Sequence, residues 1–202
     1  MNNNFITKEW NALNLLAQNA STVGLIDLKI LSQRNDNDYI FFDKLNSNKF
    51  KFLYLLGSDN LEFKKTNEFI VYQGSHGDKG AEIADVVLPS AAYTEQNGLY
   101  SNLEGRIQEC KKASYPIGDS LEDWKIFNLL LKKLGKIDKL YNFEKLRKET
   151  INSIVNFSQI NDLPKKVINK SKKIESNFKS EEISIRKLDY YYTNSISRAS
   201  KT

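Results

Sequence analysis

An α/β fold built on a short parallel sheet and flanked by helices, followed by a mainly helical C-terminal region, is what the sequence predicts. Three apolar runs carry the expectation. Phe50–Leu56, interrupted only by Lys51, ends at Gly57-Ser58-Asp59; Phe69–Tyr72 ends at Gly74; and Asp85-Val86-Val87-Leu88 is closed by Pro89. A short continuous apolar run closed by a turn residue reads as a strand buried on both faces. Asn60–Asn67, between the first two runs, has helical composition. Strand, short helix and strand in succession predict parallel pairing through a right-handed crossover. Ligands of such sheets bind beyond the carboxyl ends of the strands, so Gly57–Asn60 and Gly74–Gly80 fall on the functional rim.

Before the sheet, Thr7 or Asn4 is placed to cap a helix running to about Asn19, with Trp10, Leu13, Leu16 and Ala17 on one face and Ala20 beyond. Val23–Leu31 reads as a short strand or a buried loop. Ser32–Asn48 is Asn/Asp-rich around the aromatic cluster Tyr39–Phe42 and reads as a surface excursion. After the sheet, Asp119-Ser120 opens a helix through about Leu134, with Trp124, Phe127, Leu130, Leu131 and Leu134 as its stripe and Gly135 as its stop. Phe143–Phe157 reads as another helix, with Phe143, Leu146, Ile151, Ile154 and Val155 apolar. Pro164–Glu182 reads as a weakly packed helix or a linker. The chain then reaches Tyr190-Tyr191-Tyr192, an aromatic triplet that needs something to pack on. These readings divide the chain at about residue 135, with an α/β portion over 1–135 and a Lys-rich helical extension over 136–202.

Composition narrows the function classes. The 202 residues include one Cys and one His, so this chain alone forms neither an internal disulfide nor a four-thiolate iron–sulphur or zinc site. No apolar stretch approaches the roughly 20 residues of a membrane span. The first 110 residues carry 10 basic and 14 acidic side chains, and the remainder 20 and 11. A basic half admits a nucleic-acid-binding module as one reading. The cations are mostly Lys interspersed with acids, however, and Arg, which suits bidentate phosphate recognition, occurs five times. A solvated helix face is the favoured reading, with no nucleic-acid partner. The opening MNNNFITKEWN has neither a secretory apolar core nor the Arg of a transit peptide.

Phe69–Trp124 concentrates the candidates: six of the nine glycines, His76, Cys110, and an Asn-x-Glu-Gly-Arg core at Asn102, Glu104, Gly105 and Arg106. Gly74-Ser-His-Gly-Asp-Lys-Gly80 matches neither phosphate-loop pattern, so its glycines permit either backbone approach to a phosphate or simply a tight turn. His76 has a side chain suited to general base work. Asp78 and Asp85 are close in sequence, but no nucleophile is evident, which favours a structural His76. Glu95, Asn102, Glu104 and Arg106 either orient a polar cofactor or hold an irregular loop. Cys110 has no His beside it and reads as a plain thiol.

The segment YQGSHGDKGAEIADVVLPSAAYTEQNGLYSNLEGRIQ closely resembles the C-terminal part of the large iron–sulphur (NuoG-type, seventy-five-kilodalton) subunit of respiratory complex I, within the molybdopterin-oxidoreductase superfamily. Trp10-Asn-x-Leu-Asn14 and the tail Asp189-Tyr-Tyr-Tyr-Thr-Asn-Ser-Ile-Ser-Arg-Ala-Ser200 extend the resemblance over nearly the whole chain. It implies a partial molybdopterin-oxidoreductase-like domain in which Asn102, Glu104, Gly105, Arg106 and Gln108 are a vestigial pterin-pocket segment, with Glu104 and Arg106 as internal ties. It further implies no catalytic residue, cofactor or metal in this chain, and iron–sulphur clusters on a separate polypeptide carrying the N-terminal part of a split subunit. The implied partners are that polypeptide and other subunits of the hydrophilic arm. Tyr190, Tyr191, Tyr192, Ile196 and Arg198 are the expected contact surface. The implied location is the matrix side of the mitochondrial inner membrane, with AT-rich codon usage pointing to a mitochondrial gene; a bacterial cytoplasm is the alternative. An active molybdopterin oxidoreductase is the competing reading, with a pterin bound against Asn102–Gln108.

Overall fold

The structure is a computed structural model that describes residues 19–20, 22–30, 44–45, 47, 49–58, 61, 63–154, 159–164, 191–192 and 194–200. The expected first helix, the Tyr39–Phe42 cluster, Tyr190 and the segment 165–182 lie outside the described residues. Strands β1 (Phe52–Leu56), β2 (Phe69–Gly74) and β3 (Val86–Pro89) form a parallel sheet in the order β1-β2-β3. Phe52 pairs with Phe69 and Val71 with Val86, which sets the register. The α/β class and all three strands therefore follow the apolar runs.

Burial departs from the expectation for β1 and for β3, where Val86 and Val87 are exposed. Only the central strand is covered on both faces, with Ile70, Val71, Tyr72 and Gln73 all buried. In β1, Leu53 and Leu55 are buried while Phe52 and Leu56 stay 55% and 49% exposed. The edge position accounts for this: one face of β1 joins the core, and Tyr54 on the other is touched by Phe127, ring centroids 5.6 Å apart. The core on the first face is Leu45, Leu53, Leu55, Ile70 and Tyr72, lined by Phe50, Leu61, Phe63, Ala81, Ile83 and Ala84. Leu45 belongs to the stretch read as a surface excursion, so that segment sends at least one side chain inward.

The segment between β1 and β2 is not helical among its described residues. Glu68 explains why. Its carboxylate accepts from the Thr66 amide and hydroxyl, the latter at 2.7 Å, holding the approach to β2 in a side-chain-supported turn. Lys65 reaches instead to Asp85 at 2.6 Å, and Asp85 also accepts the Ile70 amide at 2.8 Å. Asp85 thereby fastens the start of β3 to β2.

The described part of Val23–Leu31 is likewise not a strand. Its first residues lie in helix α1 (Thr22–Asp27), closed by a Schellman motif in which Ile30 N–H donates to Leu25 at 3.0 Å and Lys29 N–H to Ile26 at 2.9 Å. Lys29 takes the left-handed position, φ 56°, that glycine usually fills. Helix α2 (Lys79–Glu82) follows β2 and is capped by Asp78, whose side chain accepts the Lys79 amide. β4 (Gly98–Ser101) and β5 (Ile107–Cys110) form an antiparallel hairpin where the sequence suggests an irregular loop.

Helix α3 (Asp123–Lys133) starts later than Asp119. Leu121 bridges Ser90 as an extended residue, and just before it Ser120 closes a turn, its hydroxyl donating to the Ile117 carbonyl at 2.7 Å. The backbone there is committed to the turn and the bridge, so the helix opens only after them. Its stop is as expected, with Gly135 at φ 65° and Lys136 N–H returning to Leu131 at 2.9 Å. Ile126 and Asn128 are the residues of α3 that are buried, while Leu131 and Leu134 of the expected stripe are exposed. Asn128 holds the next connection by bonding both the carbonyl and the amide of Tyr141, at 2.8 and 3.1 Å. Helix α4 (Phe143–Ser153) is capped by Asn142, and helix α5 (Ser195–Ala199) by Asn194. Ile154 is already extended, so α4 ends short of Phe157.

Candidate functional site

Two candidate regions emerge, the rim loops of the parallel sheet and the turn of the β4–β5 hairpin. The rim glycines answer to packing. Tyr72, almost wholly buried, runs its ring under the loop and donates its hydroxyl to the His76 carbonyl at 2.9 Å. A Cβ on Gly74 would stand 2.2 Å from the Tyr72 oxygen, and one on Gly80 would stand 2.6 Å from the Ser58 carbonyl. Glycine is therefore required at these two positions by neighbours in the same chain. Gly77 has open space around it. His76 contacts Ser75 Oγ through Nδ1 at 3.0 Å. The constellation is a supported turn, with Asp78 spent on capping α2 and on Arg198, at 2.8 and 2.9 Å.

The hairpin turn is organised by Asn102. Its side-chain oxygen accepts the amides of Glu104 and Arg106 at 3.0 and 2.9 Å, and its own backbone amide donates to the Arg106 carbonyl at 2.9 Å. Gly105 sits at φ 80°, where glycine is favoured, and a Cβ there would meet Pro164 at 3.1 Å. The structure thus brings Asn102, Glu104, Gly105 and Arg106 together, with Gln108 exposed on β5 opposite Tyr100. Glu104 and Arg106 form no ion pair among the described residues. The tie centres on Asn102, whose Nδ2 also donates to the Glu104 carboxylate at 3.5 Å. Replacing it with alanine strands two amides and is expected to cost about 1–2 kcal/mol in urea unfolding, whereas aspartate keeps the acceptor and is expected to lose less.

A pterin ring offers several donor and acceptor edges, and Asn102 has one acceptor fewer to offer them. The Asn102 oxygen is already shared by two amides, and the buried Nε of Arg106 is the orphaned donor of the motif among the described residues. Glu95, the other candidate, accepts the Ala92 amide at 3.0 Å and closes a turn. Ser101, beside the motif, donates to Asp27 of α1 at 3.0 Å.

Behind the hairpin runs a polar network that sequence reading missed. Fully buried Gln73 accepts the Tyr54 hydroxyl and donates to Asp123 at 2.6 Å, and Gln96 donates to the other Asp123 oxygen at 3.1 Å. Burial, and then the Asp123 charge, raise the Tyr54 pKa. A cavity of about 320 Å³ opens beside it, lined by Tyr100, Asp123, Trp124, Phe143, Leu146 and Arg147 among others. Glu122 next to the network is buried yet charged. Burial pushes its pKa up, but the Trp124 indole at 3.0 Å and the Lys125 ammonium at 3.0 Å prevail and hold it below its usual 4.5. A lowered folded-state pKa gives stability that is present above the unfolded value and lost as pH falls through the folded one. Denaturant midpoints measured from pH 6 down to about 3 should therefore fall, and Glu122→Gln should flatten part of that slope. Among the described residues no cluster of His, Cys, Asp and Glu is suited to hold a metal, and no helix is long and apolar enough to cross a membrane. Cys110 is half-buried and makes only weak sulphur contacts with the Tyr93 and Lys111 carbonyls.

Of the expected contact residues, Tyr191 and Tyr192 are exposed and packed edge to face at 5.0 Å, and Ile196 lies half-buried in α5. Arg198 is engaged within the chain by Asp78.

Comparison with known proteins agrees with this architecture. A molybdopterin oxidoreductase profile matches residues 1–133. The chain is 38% identical over 199 residues to the NADH-ubiquinone oxidoreductase 75 kDa subunit of Reclinomonas americana, covering 97% of this chain and 28% of that protein. It is 36% identical to the mitochondrial NADH-ubiquinone oxidoreductase 78 kDa subunit of Candida albicans, covering 98% and 28%. A second fungal relative, the mitochondrial 78 kDa subunit of the NADH-ubiquinone oxidoreductase of Neurospora crassa, is 43% identical over 136 residues, covering 65% and 17%. The chain thus spans little more than a quarter of the length of the first two relatives. The parallel sheet is consistent with the profile match over residues 1–133, and that match leads to one conclusion: the chain belongs to the molybdopterin oxidoreductase family.

Proposed function

We propose that the chain is a structural, non-catalytic part of the large subunit of an NADH:ubiquinone oxidoreductase. It supports electron transfer carried by iron–sulphur clusters on a partner polypeptide. Kinship with the 75 kDa and 78 kDa subunits supports the complex; the state of Asn102 supports the structural role. The residue that would have faced a polar cofactor spends its acceptor on two amides of its own turn, and this observation carries the reading. One cysteine in 202 residues cannot ligate a four-thiolate cluster, so the redox centres belong to other sequence. On this reading the chain sits in the hydrophilic arm on the matrix side of the mitochondrial inner membrane. It has a cluster-bearing polypeptide and neighbouring arm subunits as partners, with no pterin, metal or nucleic acid of its own. Tyr190, Tyr191, Tyr192 and Ile196 are offered as its contact surface.

Native gel separation with mass spectrometry tests the assignment. The chain should co-migrate with NADH dehydrogenase activity, and metal analysis of that band should find iron without stoichiometric molybdenum or tungsten. A band rich in molybdenum, or a chain found wholly apart from the activity, would overturn the reading.

A further inference from the structure

The glycine loop and the C-terminal segment meet across 120 residues of sequence. Arg198 Nε donates to Asp78 Oδ2 at 2.9 Å, and the same guanidinium donates through Nη1 to the Tyr192 carbonyl at 2.9 Å. Arg198 therefore grips the loop and the chain leading into its own helix at once. Asp78 is equally divided, since its other oxygen caps α2 through the Lys79 amide at 2.8 Å. Both charged side chains are only about a fifth to a quarter exposed, 21% and 24%, so water screens the pair less than it would on an open surface. Between loop and tail lies a hollow of about 490 Å³, lined by Gly77, Asp78, Tyr192, Ser195, Arg198 and Ala199.

Neither partner is built to hold its shape alone. Helix α2 has four residues and α5 has five, far below the length at which a helix is stable in water. The loop is supported from beneath by the Tyr72 hydroxyl, and α5 has no buried residue. From this geometry we infer that residues 191–192 and 194–200 are a strap, latched by Arg198 to Asp78 across the carboxyl-end rim of the parallel sheet, and that loop and strap open together. The rim is where parallel sheets receive ligands. The strap therefore occupies the Asp78 carboxylate, and a ligand that takes that carboxylate must first displace Arg198. This inference is independent of the assignment to an NADH dehydrogenase.

Hydrogen–deuterium exchange on the full chain, free or within its native assembly, tests the coupling. Arg198→Glu should raise exchange several-fold in both 76–83 and 194–200 while leaving the β2 amides protected. Asp78→Asn keeps the α2 cap but removes the charge, and should loosen the strap more than the loop helix. The exchanged pair Asp78→Arg with Arg198→Glu should return the strap toward wild-type protection. If Arg198→Glu loosens the tail alone, or changes neither segment, the latch is refuted. Should Arg198→Glu unprotect β2 as well, Asp78→Asn decides: unchanged exchange in 194–200 overturns the proposal, and faster exchange there with β2 intact supports it.

Discussion

Replacing Gln73 with leucine is expected to destabilise the fold by about 3 kcal/mol, even though leucine nearly matches its volume. Gln73 is completely buried between the Tyr54 hydroxyl and Asp123. Leucine would remove a hydrogen bond to a charged carboxylate, about 1.5–3 kcal/mol, and leave a hydroxyl without its acceptor, about 1–3 kcal/mol. The added apolar burial returns only about 1 kcal/mol. The orphaned groups win. Glutamate at the same position gives a sharper test, because it sets a second carboxylate where the Gln73 amide lies 2.6 Å from Asp123. Two such carboxylates cannot both ionise, so the pair acquires a raised folded-state pKa. A raised folded-state pKa means stability that is present at low pH and lost as pH rises through it. Gln73→Glu should accordingly gain stability on moderate acidification, against the acid loss expected from Glu122 in the wild type. Urea unfolding of both variants between about pH 4.5 and 8 measures this. An unchanged midpoint for the leucine variant would show that the network contributes nothing.

Gly80→Ala is expected to cost about 1–3 kcal/mol, the usual range for overpacking a tight site. Alanine has the better helix propensity by about 1 kcal/mol, and Gly80 lies within α2, so propensity alone predicts stabilisation. Space decides otherwise. The new methyl would stand 2.6 Å from the Ser58 backbone carbonyl and 3.0 Å from the Tyr72 ring, and neither neighbour is the loose end of a flexible side chain. Gly77→Ala is the matched control, with nothing within 4 Å, and should be neutral or slightly stabilising. Thermal melts of the two variants separate glycines kept for packing from glycines kept open for a ligand. Equal losses at both positions would reject the packing account.

Much of the fold is legible in the residues alone. The runs at 52–56, 69–72 and 86–88 are short and apolar enough to read as strands, and Gly57, Gly74 and Pro89 punctuate them, although only the central one is covered on both faces. Gly135 ends α3 because a left-handed residue there costs glycine little. The departures share a cause. Asn60–Asn67 has helical composition, but over its described residues a local propensity of less than about 1 kcal/mol per residue yields to the Glu68 and Asp85 side chains that hold the backbone elsewhere. The hairpin escapes sequence reading because its strands are four residues each and polar at Gln108 and Glu109, although Asn102 and Gly105 flanked by Leu99-Tyr100 and Ile107 are a usable turn signal.

The sequence by itself determined the α/β class, the three strands of the parallel sheet, the lack of a cluster-binding thiolate set and the segment that carries family membership. Those depend on residue type, local period and motif. Only the tertiary structure decided what the conspicuous residues do. It turned Asn102 into the keystone of a turn, made Gly74 and Gly80 clearances for Tyr72 and Ser58, joined Gln73 to Asp123 over 50 residues, and drew Arg198 inward to Asp78. The physical reason is common to all four. A side chain's role is set by the partner it meets when the chain is folded, and for Gln73 and Arg198 that partner is distant in sequence.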